Sequence, residues 1–74
     1  MGGNVANRVR DLRAANDRMT QQALADAVGV SRQTIIAIES GRYSPSLEVA
    51  LKIADAFGRS VDEVFWLTDT GTDA

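Results

Sequence analysis

Apolar residues recur along this chain at the three- and four-residue spacing of amphipathic helices, and short polar segments separate them. Val5, Val9 and Leu12 share one face of a first helix, and Leu24 and Val28 share one face of a second. The pattern predicts five helices and no strands. They cover residues 5–15, 21–28, 32–40, about 46–57, and a last segment that opens at residue 60 and runs over Phe65 toward Leu67.

Turn and capping residues delimit these helices. Thr20 and Ser31 stand where side-chain oxygens cap helix starts, and Gly29 stands where a left-handed residue ends a helix. Ser60 and Glu63 have the S-x-x-E spacing of a capping box. We therefore expect an all-α fold made of a single domain over residues 1–74, with an ordered core over about residues 5–67.

The second and third predicted helices are separated by only residues 29–31, too few for an antiparallel hairpin. They must cross steeply, which requires a small residue where the backbones approach and a left-handed residue in the turn. Ala25 and Gly29 meet these needs. An ordinary helical corner remains the alternative, but apolar residues that anchor both helices favour a helix-turn-helix. These anchors are Leu24, Val28, Val30, Ile35 and Ile38.

Composition narrows the function. The chain has no Cys and no His, and it contains no Gly-rich phosphate loop, so we expect no enzyme activity, no metal and no cofactor. It lacks a run of apolar residues long enough to span a membrane and a signal peptide, which predicts a cytoplasmic protein. The net charge of −2 disfavours nucleic-acid binding, but the charges are segregated. Residues 1–59 hold all eight basic residues against six acidic ones, whereas residues 60–74 hold four acidic ones and no basic one.

The stretch QQALADAVGVSRQTIIAIESGRYSPSLEVALKIADAFGRSVDEVF, residues 21–65, is similar to the Cro/cI-type (XRE-type) helix-turn-helix regulators, especially their short single-domain members. The resemblance implies a compact five-helix fold like that of the lambda repressor, with helix 3 in the major groove of double-stranded DNA. It also implies a transcriptional regulator, specifically a repressor that binds an inverted-repeat operator, and association with the nucleoid through that DNA binding. The loop between Arg13 and Thr20 is one residue longer than the commonest family form.

The face of helix 3 opposite Ile35 and Ile38 is expected to meet base edges. At 100° per residue, this face carries Gln33, Ile36 and Ala37, and an Arg in the first turn can still reach the bases. Arg commonly reads guanine, Gln reads adenine, and apolar groups contact the thymine methyl. A solvated face is the alternative for the polar pair, and local packing is the alternative for Ile36. The predicted base-reading residues are Arg32, Gln33, Ile36 and Ala37.

The resemblance also implies the contacts to the DNA backbone and one internal ion pair. Glu39 falls near the core side of helix 3, where an unpaired carboxylate is costly, and family members pair it with an Arg on helix 1, here Arg13. Tyr43 could instead cover helix 4. Arg8, Arg10 and Arg18 receive no assignment. The predicted phosphate-binding residues are Gln21, Thr34, Ser40, Arg42 and Tyr43.

The end of the chain predicts self-association. Phe65, Trp66 and Leu67 are consecutive, so one helix cannot bury all three, and either Trp66 is a tolerated surface aromatic or the patch meets a second subunit. We expect a homodimer. An antitoxin that also covers a protein partner, or a protein-interaction module on the same scaffold, remains an alternative function. The predicted interface residues are Val61, Val64, Phe65, Trp66 and Leu67.

Overall fold

The fold consists of five short helices and one small antiparallel sheet. A computed structural model describes residues 5–68. The five predicted helices are confirmed, and two three-residue strands accompany them. In chain order the elements are β1 (Val5–Asn7), α1 (Val9–Ala15), α2 (Gln21–Val28), α3 (Arg32–Glu39), α4 (Leu47–Ala56), α5 (Val61–Val64) and β2 (Phe65–Leu67).

The prediction that the chain has no strands is wrong at both ends of the described range. Residues 5–7 do not begin the first helix, and residues 65–67 do not continue the last one; they pair with each other in an antiparallel ladder. Asn7 accepts a hydrogen bond on Oδ1 from the Val9 N–H at 3.0 Å, which starts α1 there. Phe65 adopts the extended conformation, with φ −126° and ψ 143°, so α5 ends at Val64.

The predicted caps define the starts of α2, α3 and α5. Thr20 accepts the Ala23 N–H at 2.9 Å, and Ser31 accepts the Thr34 N–H at 3.1 Å. At the start of α5 the Ser60 N–H donates to Glu63 Oε1 at 2.9 Å. Each bond satisfies a backbone N–H that would otherwise lack a partner at a helix start, and an N-cap of this kind stabilises by about 1 kcal/mol.

The core lies where α2 packs against α3 and α4, and α5 packs against α4. Full burial of each large aliphatic side chain contributes roughly 1.5–3 kcal/mol. Val64 belongs to this core with no exposed surface, so its assignment to a dimer interface is wrong: its side chain is already covered by the chain itself. The largest fully buried side chains are Leu24, Ile35, Ile38, Ile53, Val9 and Val64.

Candidate nucleic-acid interface

A tight turn joins α2 to α3. Gly29 is left-handed, with φ 79°, and its N–H donates to the Ala25 carbonyl at 2.8 Å. The Val30 N–H donates to the same carbonyl at 3.0 Å. Ala25 is fully buried, as expected of a residue where two helices approach closely. The turn therefore joins α2 to α3 within three residues and leaves the two helices packed against each other.

The side of α3 away from the core carries the predicted base-reading residues. Arg32, Gln33 and Ile36 are exposed, and Ala37 is half-buried. A shallow groove of about 360 Å³ runs along this face, which we call the reading groove. Its walls bring three predicted base-reading residues together with two predicted phosphate-binding ones. The lining residues are Gln33, Ile36, Ala37, Ser40 and Arg42.

A second groove, of about 570 Å³, lies between α1, the start of α2 and α3; we call it the arginine groove. Three arginines and a single carboxylate line it, so its electrostatic potential is positive. Arg10 is the member that sequence reasoning left unassigned, because an arginine on a helix surface gives no local sign of what it faces. The lining residues are Arg10, Arg13, Thr20, Gln21, Gln22, Arg32, Ile36, Glu39 and Ser40.

The predicted phosphate-binding residues differ in how free their donors are. The Gln21 Nε2 group donates to Glu39 Oε1 at 3.1 Å, which leaves it one further N–H. Thr34 Oγ1 lies 3.0 Å from Ser31 Oγ. Ser40 Oγ donates to the Ala37 carbonyl at 3.1 Å, so it can donate to a phosphate only by releasing that bond.

The segment that follows α3 is also held in place. The backbone N–H groups of Arg42 and Tyr43 both donate to the Ala37 carbonyl, at 3.0 and 3.3 Å. Both side chains are exposed, with Tyr43 at 49%. Their backbone is therefore held in place while their side chains are exposed to solvent.

Arg13 and Glu39 form an ion pair with two hydrogen bonds. Arg13 Nε donates to Glu39 Oε2 at 2.6 Å, and Nη2 donates to Oε1 at 3.1 Å. Arg13 Nη1 donates to the Met19 carbonyl at 2.9 Å. The two side chains are only 15% and 7% exposed. Because the guanidinium is largely committed to groups within the chain, its geometry favours a structural role over a contact with DNA.

The exposed apolar surface near the end of the described range is smaller than the sequence predicts. Phe65 is half-buried, whereas Trp66 is 40% and Leu67 76% exposed. Because a strand turns successive side chains to opposite faces, these three residues do not form one apolar patch. Val61 is half-buried against the core. The Arg8 guanidinium stacks over the Trp66 ring at 5.0 Å, a cation–π contact that sequence reasoning missed.

Residues 5–68 show neither a metal site nor a membrane-spanning helix. No group of three or more His, Cys, Asp or Glu side chains in this range could hold a metal ion. None of the helices there combines the length and apolar character needed to cross a membrane.

Comparison with known proteins places the chain in a family. Residues 9–64 match the model of the helix-turn-helix family. The chain is 49% identical over 63 residues to the uncharacterized HTH-type transcriptional regulator YgzD of Bacillus subtilis, covering 85% of this chain and 94% of that one. It is 34% identical over 68 residues to the cryptic phage CTXphi transcriptional repressor RstR of Vibrio cholerae, covering 92% of this chain and 60% of the repressor.

A solved structure agrees with the sequence matches. The restriction-modification controller protein C.AhdI of Aeromonas hydrophila superposes with a TM-score of 0.69 at 33% identity, covering 74% of this chain and 82% of that one. The chain belongs to the helix-turn-helix family of the XRE type. It is a DNA-binding transcriptional regulator and not an enzyme.

Proposed function

We propose that this protein is a sequence-specific repressor that binds an inverted-repeat operator as a homodimer, with α3 in the major groove. The observation that carries the proposal is the reading groove, where donor and apolar side chains share the exposed face of a helix fixed by the turn at Gly29. In proteins with a helix-turn-helix motif, the second helix of the motif lies in the major groove and its amino-terminal residues contact base edges.

The chemistry of the exposed face suits base recognition. Arg32 has a guanidinium that can donate two hydrogen bonds to guanine O6 and N7, and the Gln33 amide can pair with adenine N6 and N7. Ile36 and Ala37 offer apolar contacts to thymine methyl groups. Each good bidentate contact gives about 1–3 kcal/mol of discrimination against a wrong base.

The arginine groove supports the grip on the DNA backbone. Arg10 and Arg32 stand at this groove beside the start of α2, where free backbone N–H groups favour an anion. Gln21 retains one amide N–H there. On the other side of α3, Arg42 and Tyr43 are exposed. We infer that Gln21, Thr34, Ser40, Arg42 and Tyr43 contact phosphates, together with Arg10. The positive field of this face outweighs the net charge of −2, because screening limits the reach of the acidic residues elsewhere.

The homodimer is supported by the apolar surface of β2. Trp66 and Leu67 expose large apolar side chains on opposite faces of β2, and Val61 and Phe65 are half-buried nearby in the chain. A two-fold arrangement sets two reading helices about 34 Å apart, one turn of B-DNA, which predicts the spacing of the operator's half-sites. The repressor role is supported by the similarity to RstR, which is a phage repressor. DNA binding would keep the protein on the nucleoid.

Selection from a pool of random duplexes tests the proposal. We expect enrichment of an inverted repeat whose half-sites are about 10 base pairs apart. Recovery of unrelated duplexes after repeated rounds would refute sequence-specific binding. A reporter gene placed behind the selected site tests repression, because a repressor lowers its expression and an activator raises it.

Sedimentation of two matched variants tests the interface. Leu67→Ser removes the most exposed apolar side chain of β2, whereas Leu47→Ser makes the same change at a 71% exposed position on α4. We expect only the first to weaken self-association. A wild-type monomer at high micromolar concentration would refute the dimer and leave the reading face untouched.

A further inference from the structure

The Asn7 side chain joins the amino-terminal strand to the end of the reading helix. Its Oδ1 atom accepts the Val9 N–H at 3.0 Å, and its Nδ2 group donates to the Ile38 carbonyl at 3.0 Å, across 31 residues of sequence. The side chain is half-buried. A single amide therefore caps the start of α1 and holds the last turn of α3.

The backbone of Asn7 is itself held in place by hydrogen-bonded neighbours. It pairs with Phe65 in the β1–β2 ladder, and the next residue, Arg8, donates its N–H to the Val64 carbonyl at 3.0 Å. Val64 is fully buried in the core. The amide thus extends from a part of the molecule that cannot shift without disturbing the sheet and the core together.

The group that Asn7 holds is one of the carbonyls that a helix end leaves without an intrahelical partner. The Ile38 carbonyl also accepts the Gly41 N–H at 3.1 Å, but that bond is local and moves with the helix. The bond from Asn7 instead ties α3 to a different element. The Arg13–Glu39 pair, one residue further along α3, ties it to α1.

A small tilt of α3 would change how its side chains meet base edges. A helix of eight residues is about 12 Å long, so a shift of about 1 Å at one end changes its direction by roughly 5°. Hydrogen bonds to base edges tolerate only a few tenths of an ångström in donor–acceptor distance. Phosphate contacts from long flexible arginines absorb such a shift more easily.

We propose that Asn7 is a positioning residue that sets the tilt of α3 and thereby sharpens the distinction between the operator and other DNA. The DNA part rests on the proposed function, whereas the tilt can be measured on the free protein. Asn7 touches no base in this proposal, since it acts through the Ile38 carbonyl.

Two substitutions separate the two ends of the amide. Asn7→Ser keeps an oxygen that can cap α1, but its hydroxyl is too short to reach Ile38. Asn7→Asp keeps the shape and the cap, and it turns an oxygen toward the Ile38 carbonyl. Asn16→Asp is the charge-matched control, because Asn16 is exposed at the end of α1 and its side chain makes no hydrogen bond among the described residues.

Residual dipolar couplings of backbone amides report the direction of α3 relative to α2 and α4. We expect both Asn7 variants to change the couplings of α3 and to leave those of α2 and α4 as in the wild type. Titration against the selected operator and a scrambled duplex should show the affinity ratio falling by about tenfold in both variants, similar to one weakened base contact. Asn16→Asp should lower both affinities alike and keep the ratio.

Unchanged α3 couplings in both Asn7 variants would overturn the proposal, and so would a wild-type affinity ratio in variants that are folded at the assay temperature. A lower melting temperature with unchanged couplings would likewise overturn it, leaving Asn7 as a helix cap alone. If the wild type itself fails to prefer any duplex, the proposed function fails, while the couplings still decide whether Asn7 positions α3.

Discussion

Removing Arg13 should destabilise the fold severely, because Glu39 would lose its charged partner in a place where water barely reaches it. The Glu39 side chain is 7% exposed, and two of its three side-chain hydrogen bonds come from Arg13. Only the bond from Gln21 remains in Arg13→Ala. Breaking a buried ion pair on one side costs about 3–5 kcal/mol. The lost bond to the Met19 carbonyl adds to this cost.

The size of the domain makes that cost easy to measure. A chain of 74 residues has a free energy of unfolding of roughly 4–11 kcal/mol. Loss of about 3 kcal/mol lowers the melting temperature of so small a domain by roughly 12–24 °C. Urea unfolding followed by circular dichroism, at one fixed protein concentration, gives the free energy directly.

Replacing both partners supplies the control. Arg13→Met with Glu39→Leu leaves no charge stranded, so the double variant should be much closer to wild type than Arg13→Ala. A loss below about 1 kcal/mol for Arg13→Ala would refute the reasoning. If Arg13→Ala keeps its stability and loses DNA binding, Arg13 is a DNA contact and not a structural residue.

Two further predictions concern the grip on DNA and the loop after α1. Arg42→Ala should reduce the slope of log K against log salt by about 0.9 per half-site, because one phosphate contact is lost. Arg59→Ala, which lies outside both grooves, should leave the slope unchanged. Fluorescence anisotropy between about 50 and 200 mM salt measures the slope, and equal slopes for Arg42→Ala and wild type would contradict the contact. Arg18→Gly should raise the free energy of unfolding in urea by about 0.5–1 kcal/mol, because Arg18 has φ 54°, a conformation that strains an L residue. The control Ala14→Gly, inside α1, should lower it by about 1 kcal/mol. Destabilisation by Arg18→Gly would show that the loop is unstrained.

The parts of the fold that the sequence predicted correctly depend on local signals. The starts of α2, α3 and α5 each follow a side-chain cap or capping box that the sequence shows within a few residues of the helix. The contact of α2 with α3 follows from the short turn that begins at Gly29. The exposed face of α3 follows from helical periodicity, since Ile35 and Ile38 alone fix which side is buried. These signals span a few residues each, so a single sequence contains them in full.

The parts that it missed depend on contacts between distant segments. Val5–Asn7 and Phe65–Leu67 are each too short to show strand alternation, and each becomes a strand only because the other lies beside it. Val64 is fully buried at the end of α5 and Leu67 is 76% exposed in β2, a difference that the periodicity of one continuous helix does not predict. Arg10 belongs to the arginine groove only because α1 and α3 meet there. The sequence did contain a signal for Asn7: its side-chain amide stands two residues before Val9, whose N–H it accepts at the start of α1.

The central claim is that α3 reads the DNA sequence, and it is tested most directly by comparing Gln33→Ala with Arg42→Ala on the selected operator and on a scrambled duplex at one salt concentration. Gln33 is exposed on the reading groove, so its truncation should cost about 1–3 kcal/mol on the operator and little on scrambled DNA. Arg42→Ala should weaken binding to both duplexes by a similar factor, because phosphates are alike beside every base. If Gln33→Ala lowers affinity equally on both duplexes, α3 does not read the sequence and the account is wrong.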